Sequence, residues 1–222
     1  MLRISRQPVN QVTIYSIALF TLWSLYLTFI YPTISLNNSI PAILLQEVCR
    51  IAIFILPAVV ILLPSINLKT LGCILPSKKT LGYILIIGFT WLTGGIFIDL
   101  FFRGHQFATL TDFKFWIGTF AVASIVEEVI FRGFIFQKLR FVYGFWSAAI
   151  ISTTLFVVIH FPGWYFFSMQ PNLISWLLSS VSIFILGLLL VFIMERTGSV
   201  WTCCIIHALN NLAAESTTIY PA

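Results

Sequence analysis

The sequence predicts an all-α protein: a polytopic bundle of about seven transmembrane helices with a cytoplasmic N-terminus. Three observations lead there. The 222 residues are 59% hydrophobic and only 9% charged, with a mean hydropathy of +1.02. Soluble domains are roughly half apolar and a quarter charged, so this chain cannot clothe a water-facing surface. The apolar residues gather in runs close to the about 20 residues that cross a bilayer. Basic residues alternate in density between successive connections, as topology signals do. A soluble globular protein, a disordered tail and a disulfide-rich secreted scaffold are thereby excluded. The net charge of +5 comes from scattered lysines and arginines rather than a basic face, so no nucleic-acid partner is expected.

The elements follow in order. Val12–Ile30 is too long for the apolar stretch of a secretory leader and lacks a small-residue cleavage site, so it reads as the first span. Pro32, Asn37 and Asn38 end it. Ala42–Leu63 holds Pro57, which should kink it. The stretch from Pro64 to Pro76 separates it from Leu81–Phe102, and Gly104 marks the next turn. Phe113–Phe136 and Phe145–Phe161 are divided at Gly144. Pro162, Gly163, Pro171 and Asn172 precede Leu173–Met194, and Gly198 precedes Val200–Tyr220. With short connections and no internal repeat, residues 1–222 read as one integral membrane domain.

Orientation follows from the basic residues. A cytoplasmic N-terminus places Arg3, Arg6, Lys69, Lys78, Lys79, Lys138, Arg140 and Arg196 inside, and only Arg103 and Lys114 outside. That asymmetry obeys the positive-inside rule, favours a C-terminus outside and supports an odd number of spans. Cys49, Cys73, Cys203 and Cys204 show neither CxxC nor zinc-finger spacing and are expected to serve packing.

Ionisable residues inside apolar runs are costly unless paired, hydrated or functional. Glu47 and Arg50 lie three apart, and Asp99 and Arg103 four apart, near the outer ends of their helices; both pairs have a structural explanation. His105 and Asp112 fall in a connection where solvent explains them. The fourth run differs, because Glu127 and Glu128 are adjacent near its middle. Glu128 and Arg132 have the spacing and order of a helical ion pair. Glu127 points about 100° away and is left without that partner. His160 stands four residues after Phe156, and His207 four before Asn211, each pair on one helix face. Counted from the inner flanks at the helical rise, Glu127 and His207 lie about 16 Å up, His160 about 20 Å and Asn211 about 22 Å. Four polar groups on three helices therefore share one layer.

A carboxylate beside a neutral histidine can take a proton from water and make a nucleophile. A second histidine with an amide can donate hydrogen bonds to a tetrahedral oxyanion. The same Glu127, His160 and His207 suit a catalytic divalent metal such as Zn²⁺ equally well by residue type. A non-catalytic membrane scaffold or a proton-coupled transporter would also use buried carboxylates and histidines, although no inverted repeat supports the transporter. Other protease classes fit less well. There is no His-Glu-x-x-His, Asp99 and Asp112 do not sit at mid-membrane, and Ser199 lacks a histidine at its depth.

Glu127-Glu128-x-x-x-Arg132, Phe156-x-x-x-His160 and His207-x-x-x-Asn211 resemble, in order and spacing, the three signature motifs of the CAAX protease and bacteriocin-processing (CPBP, abortive-infection) family, which includes the type II CAAX prenyl endopeptidases. The resemblance covers about residues 113–214. It implies an intramembrane endopeptidase in which Glu127 and His160 activate water and His207 and Asn211 stabilise the oxyanion. It further implies that Glu128 and Arg132 hold the site in shape and that Phe156 packs beneath His160. Family members have been described both as metalloendopeptidases and as glutamate-dependent enzymes. The implied substrate is a membrane-anchored protein or peptide, prenylated in eukaryotic members and linked in some bacterial ones to bacteriocin maturation or self-immunity. The short chain favours a bacterial-type cell membrane protein, and an immunity protein using the bundle only for partner binding is the alternative.

Overall fold

The computed structural model describes residues 7–36, 39–62, 71–102, 104–110 and 112–218. Arg3, Arg6, Asn37, Asn38, Pro64, Lys69 and Arg103, which the sequence reading placed in connections, lie outside them. Each of the seven apolar runs carries a helix. Helix α1 spans Gln7–Ser35, with a wide π-type turn at Tyr26–Ile30. Helix α2 spans Ile40–Leu62 around Pro57, and α3 spans Lys78–Phe102. Helix α4 occupies 113–142, α5 Phe145–Val158, the short α6 Phe161–Phe166, α7 Leu173–Thr197 and α8 Val200–Glu215.

Five stretches are long and apolar enough to cross a membrane: Gln7–Ser35, Ile40–Ile61, Lys78–Phe102, Phe145–Phe166 and Leu173–Thr197. The chain is thus an integral membrane protein. The two remaining long helices fall short for informative reasons. The apolar stretch of α4 carries Glu127, Glu128 and Arg132, and α8 has only 16 residues. These are the helices that bring most of the polar layer. Helix α8 ends five residues before the expected boundary at Tyr220, because Glu215-Ser216-Thr217-Thr218 is too polar to continue the apolar face. Thr217–Thr218 (β2) instead pairs antiparallel with Gln106–Phe107 (β1). Thr217 donates to Asp99 Oδ2 at 2.9 Å and meets His105 Nδ1 at 3.4 Å. His105 is therefore half-buried in this tether, not simply solvated as expected.

Helix α4 is the axis of the bundle. Wide π-type turns at Phe115–Ala123 and Val129–Phe136 flank an ordinary α-helical turn, Ser124–Glu128. Such turns re-aim side chains and carbonyls and recur at functional sites. Helices α2, α5 and α8 all pack on α4, α7 packs on α5 and α8, and α3 lies along α8. Helix α1 joins α2 through Tyr15, whose hydroxyl donates to Phe54 O at 2.8 Å.

The end of the bundle that carries Lys138 and Arg196 is closed by residues 71–77. Gly72 O accepts from Val200 N at 2.9 Å, and the Ser199 hydroxyl donates to Ile74 O. Gly198 adopts a left-handed φ of 63°, which reverses the chain between α7 and α8. Arg140 grips Glu195 with two nitrogens, at 3.1 and 2.9 Å, tying α4 to α7. The described basic residues expected on the cytoplasmic side (Lys78, Lys79, Lys138, Arg140 and Arg196) flank this end, while Lys114 lies with Tyr31 at the other.

Gly133 lets the closing segment dock. A Cβ there would stand 2.7 Å from Leu71 O, a backbone atom that cannot swing aside. Gly133→Ala should therefore destabilise the protein by about 1–3 kcal/mol, as overpacking does. Thermal unfolding in detergent measures this, and an unchanged melting temperature would show that the segment yields freely.

Candidate active site

The two adjacent glutamates do point to different partners. Glu128 is fully buried, and its Oε1 accepts from Arg132 Nη1 at 2.8 Å, one turn along α4. The same oxygen faces His207 Nδ1 on α8, also at 2.8 Å. A carboxylate only accepts, so His207 carries a proton on Nδ1 and turns Nε2 away from Glu128. Removing two charges from water is costly, and a shared carboxylate between a guanidinium and an imidazole is one arrangement that offsets the cost.

Arg132 is enclosed on every side. Its guanidinium carbon lies 4.1 Å from the centre of the Phe156 ring, and Nη2 reaches Gly187 O at 3.4 Å. Gly187 of α7 has no room for a side chain, since a Cβ would meet Thr153 Cγ2 at 2.6 Å and Arg132 Nη2 at 3.3 Å. Phe156 does more than pack beneath His160. Its ring meets His160 edge-on at 5.0 Å and His207 at 5.7 Å, so one aromatic separates both imidazoles and supports the guanidinium.

Glu127 belongs to the other half of the layer. Its Oε2 is buried without a hydrogen-bond partner and stands 3.9 Å from His160 Nε2. His160 Nδ1 lies 2.7 Å from Phe156 O, and a carbonyl only accepts, so Nδ1 carries the proton. The Nε2 lone pair and the Glu127 carboxylate consequently converge as two acceptors, too far apart to bond directly. A water molecule donating to both satisfies that geometry. Pro162, in the first turn of α6, stops α5 beside His160 and keeps the imidazole at a helix end.

Asn211 faces α4, like His207 one turn earlier. Its Nδ2 donates to Thr119 O at 3.0 Å and to Ser124 Oγ at 3.2 Å. Ser124, Thr119, Thr153 and Gly187 are site residues that the sequence reading did not assign. Ser124 had one available signal: it precedes Glu127 by three residues and so shares its face. Gly187 and Thr153 had none, because only the docking of α7 on α4 and α5 brings them to Arg132.

A metal held by Glu127, His160 and His207 is a separate test. Glu127 and His160 converge, but His207 directs Nδ1 to Glu128. Among the described residues no three His, Cys, Asp or Glu side chains form a group arranged to hold a metal ion. The side chains as placed do not assemble that ligand set. Two crevices flank the layer. One of about 260 Å³ lies between α1, α4 and α5 and includes Phe131 and Ile159. The other, of about 220 Å³, includes Trp91 and Asn210, which are joined by a 3.0 Å hydrogen bond.

Fold and site together define an integral membrane helical bundle in which Glu128 and His207 are buried and Glu127 and His160 half-buried beside them. Residues 110–213, which contain all three motifs, match the Rce1-like family, described as type II CAAX prenyl endopeptidase Rce1-like. The match bears out the family resemblance carried by the motifs and supports CAAX-type intramembrane protease activity in general terms. No curated protein matches the chain at a significant level.

Removing one partner of a buried ion pair leaves the other charge unpaired. Arg132→Leu should therefore cost about 3–5 kcal/mol. The check is the yield and melting temperature of the purified variant beside wild type; equal stability would mean that Glu128 does not need its arginine.

Proposed function

We propose that the chain hydrolyses a peptide bond of a lipid-anchored membrane protein or peptide, using water activated by Glu127 and His160. The observation that carries this reading is the pair of facing acceptors, Glu127 Oε2 and His160 Nε2, 3.9 Å apart within the bundle. A water between them gives up a proton to this pair as its oxygen bonds to the substrate carbonyl carbon. The carbonyl oxygen becomes the oxyanion of a tetrahedral intermediate. Its collapse breaks the C–N bond, and the proton taken from water passes to the departing amine.

Asn211 and His207 lie on the α8 side of the layer and supply the oxyanion's donors. One Asn211 N–H stays on the Thr119 carbonyl; the other, resting on Ser124 Oγ, is freed for the substrate oxygen when the Ser124 side chain rotates away. His207, protonated on both nitrogens throughout, keeps Nδ1–H on Glu128, which offsets the charge, and donates Nε2–H to the oxyanion. This is the orienting role that a buried carboxylate plays behind a catalytic histidine. The α-helical turn Ser124–Glu128 thus serves both steps, with one glutamate toward the water and one behind the histidine.

Glu127→Ala should lower cleavage of a fluorogenic farnesylated CAAX-type peptide in reconstituted vesicles by about 10²–10⁴-fold, the usual worth of a general base. The variant should keep its wild-type melting temperature, because Glu127 makes no hydrogen bond that folding needs. Undiminished turnover would overturn the assignment. Capture of the peptide without cleavage by wild type would favour the non-catalytic scaffold.

A further inference from the structure

Asn211 is held by α4, and α4 is itself gripped from the opposite side. Glu47 and Arg50 approach α4 from α2, at the wide turn Phe115–Ala123. Arg50 Nη1 donates to Gly118 O at 3.0 Å. The next carbonyl, Thr119 O, is the one that accepts from Asn211 at 3.0 Å. Glu47 is buried, and its Oε2 lies 2.9 Å from Arg50 Nη1. That contact lacks hydrogen-bond geometry, since Oε2 has no hydrogen-bond partner, so the arginine's directed bond goes to Gly118. Glu47 Oε1 also fills the space beside Gly118, where a Cβ would stand 2.7 Å from it. The arginine is seated further by the Trp23 ring, 6.0 Å from its guanidinium carbon.

Two consecutive carbonyls of one wide turn are therefore held from two helices. A wide turn departs from the regular i→i+4 ladder, so its carbonyl directions depend more on outside partners than those of an ordinary helix. We infer that the Glu47–Arg50 pair is a positioning element for Asn211: Arg50 fixes the Gly118–Thr119 carbonyls, and these fix the Asn211 amide. The inference rests on the proposed role of Asn211 in the same site. It gives a task to an ion pair that lies outside the matched residues 110–213 and that the sequence explains as structure alone.

The test uses the full chain in vesicles and the same fluorogenic farnesylated peptide. Arg50→Ala should lower kcat by about 10–100-fold, the usual effect of losing a supporting partner, and leave KM within about 2-fold. Arg50→Lys, which keeps one donor and the charge, should restore part of that kcat. Combined with Asn211→Ala, Arg50→Ala should add less than about 2-fold, because residues acting through one group are not additive. If Arg50→Ala fails to fold because Glu47 is stranded, the neutral double variant Glu47→Gln/Arg50→Gln should show the same kcat loss. Wild-type kcat in the folded variant, or full additivity with Asn211→Ala, would overturn the inference. Glu127→Ala run in parallel separates the two claims: if it cleaves normally, the site reading built on Glu127 has failed, whereas a dead Glu127→Ala beside a fully active Arg50→Ala means only the positioning role has failed.

Discussion

Glu128 Oε1 is the atom on which the centre of the bundle depends. It takes a bond from Arg132 on its own helix and faces His207 on α8, each at 2.8 Å. Within an apolar bundle each of these groups would be expensive alone, and their mutual satisfaction is what makes the layer affordable. The consequence reaches beyond stability. With Glu128 spent on structure and on His207, the adjacent Glu127 is left with a bare, buried oxygen aimed at His160. Adjacent residues of one turn thus hold an acid engaged through Oε1 and an acid whose Oε2 faces a histidine without a hydrogen bond.

Small and aromatic residues make that turn possible. Gly187 brings the α7 backbone against Arg132 so that its carbonyl, rather than a side chain, meets the guanidinium. Membrane helices lack a hydrophobic drive to associate, and close backbone approach at small residues is a main source of their packing energy. Phe156 fills the space between two imidazoles and the guanidinium, so their spacing is set by a rigid ring. Gly133 plays the corresponding part at the end of the bundle where residues 71–77 close over α4.

The wide turns of α4 account for how one helix serves so many neighbours. An ideal helix would point its polar residues along a stripe. With wide turns on both sides of Ser124–Glu128, α4 presents Gly118 O to α2, Thr119 O to α8, Glu127 to His160 and Glu128 to His207. The polar layer is built around one distorted helix and filled in by straighter ones.

Composition and spacing alone determined that the chain lives in a bilayer, where its helical runs lie, and that Glu128 pairs with Arg132. These depend on local periodicity and on the cost of charge in hydrocarbon, both readable along one segment. The convergence of Glu127, His160, His207 and Asn211 was legible only as a shared depth, since rise per residue fixes height and says nothing about direction. Tertiary structure decided the rest: which imidazole meets which glutamate, that Asn211 rests on Thr119 and Ser124, and that Gly187 and Thr153 line the arginine. It also shortened α8 and drew His105 into a tether with Asp99 and Thr217. Azimuth and neighbour come from how helices dock, and docking is set by small residues and wide turns whose effect appears only when a second helix arrives.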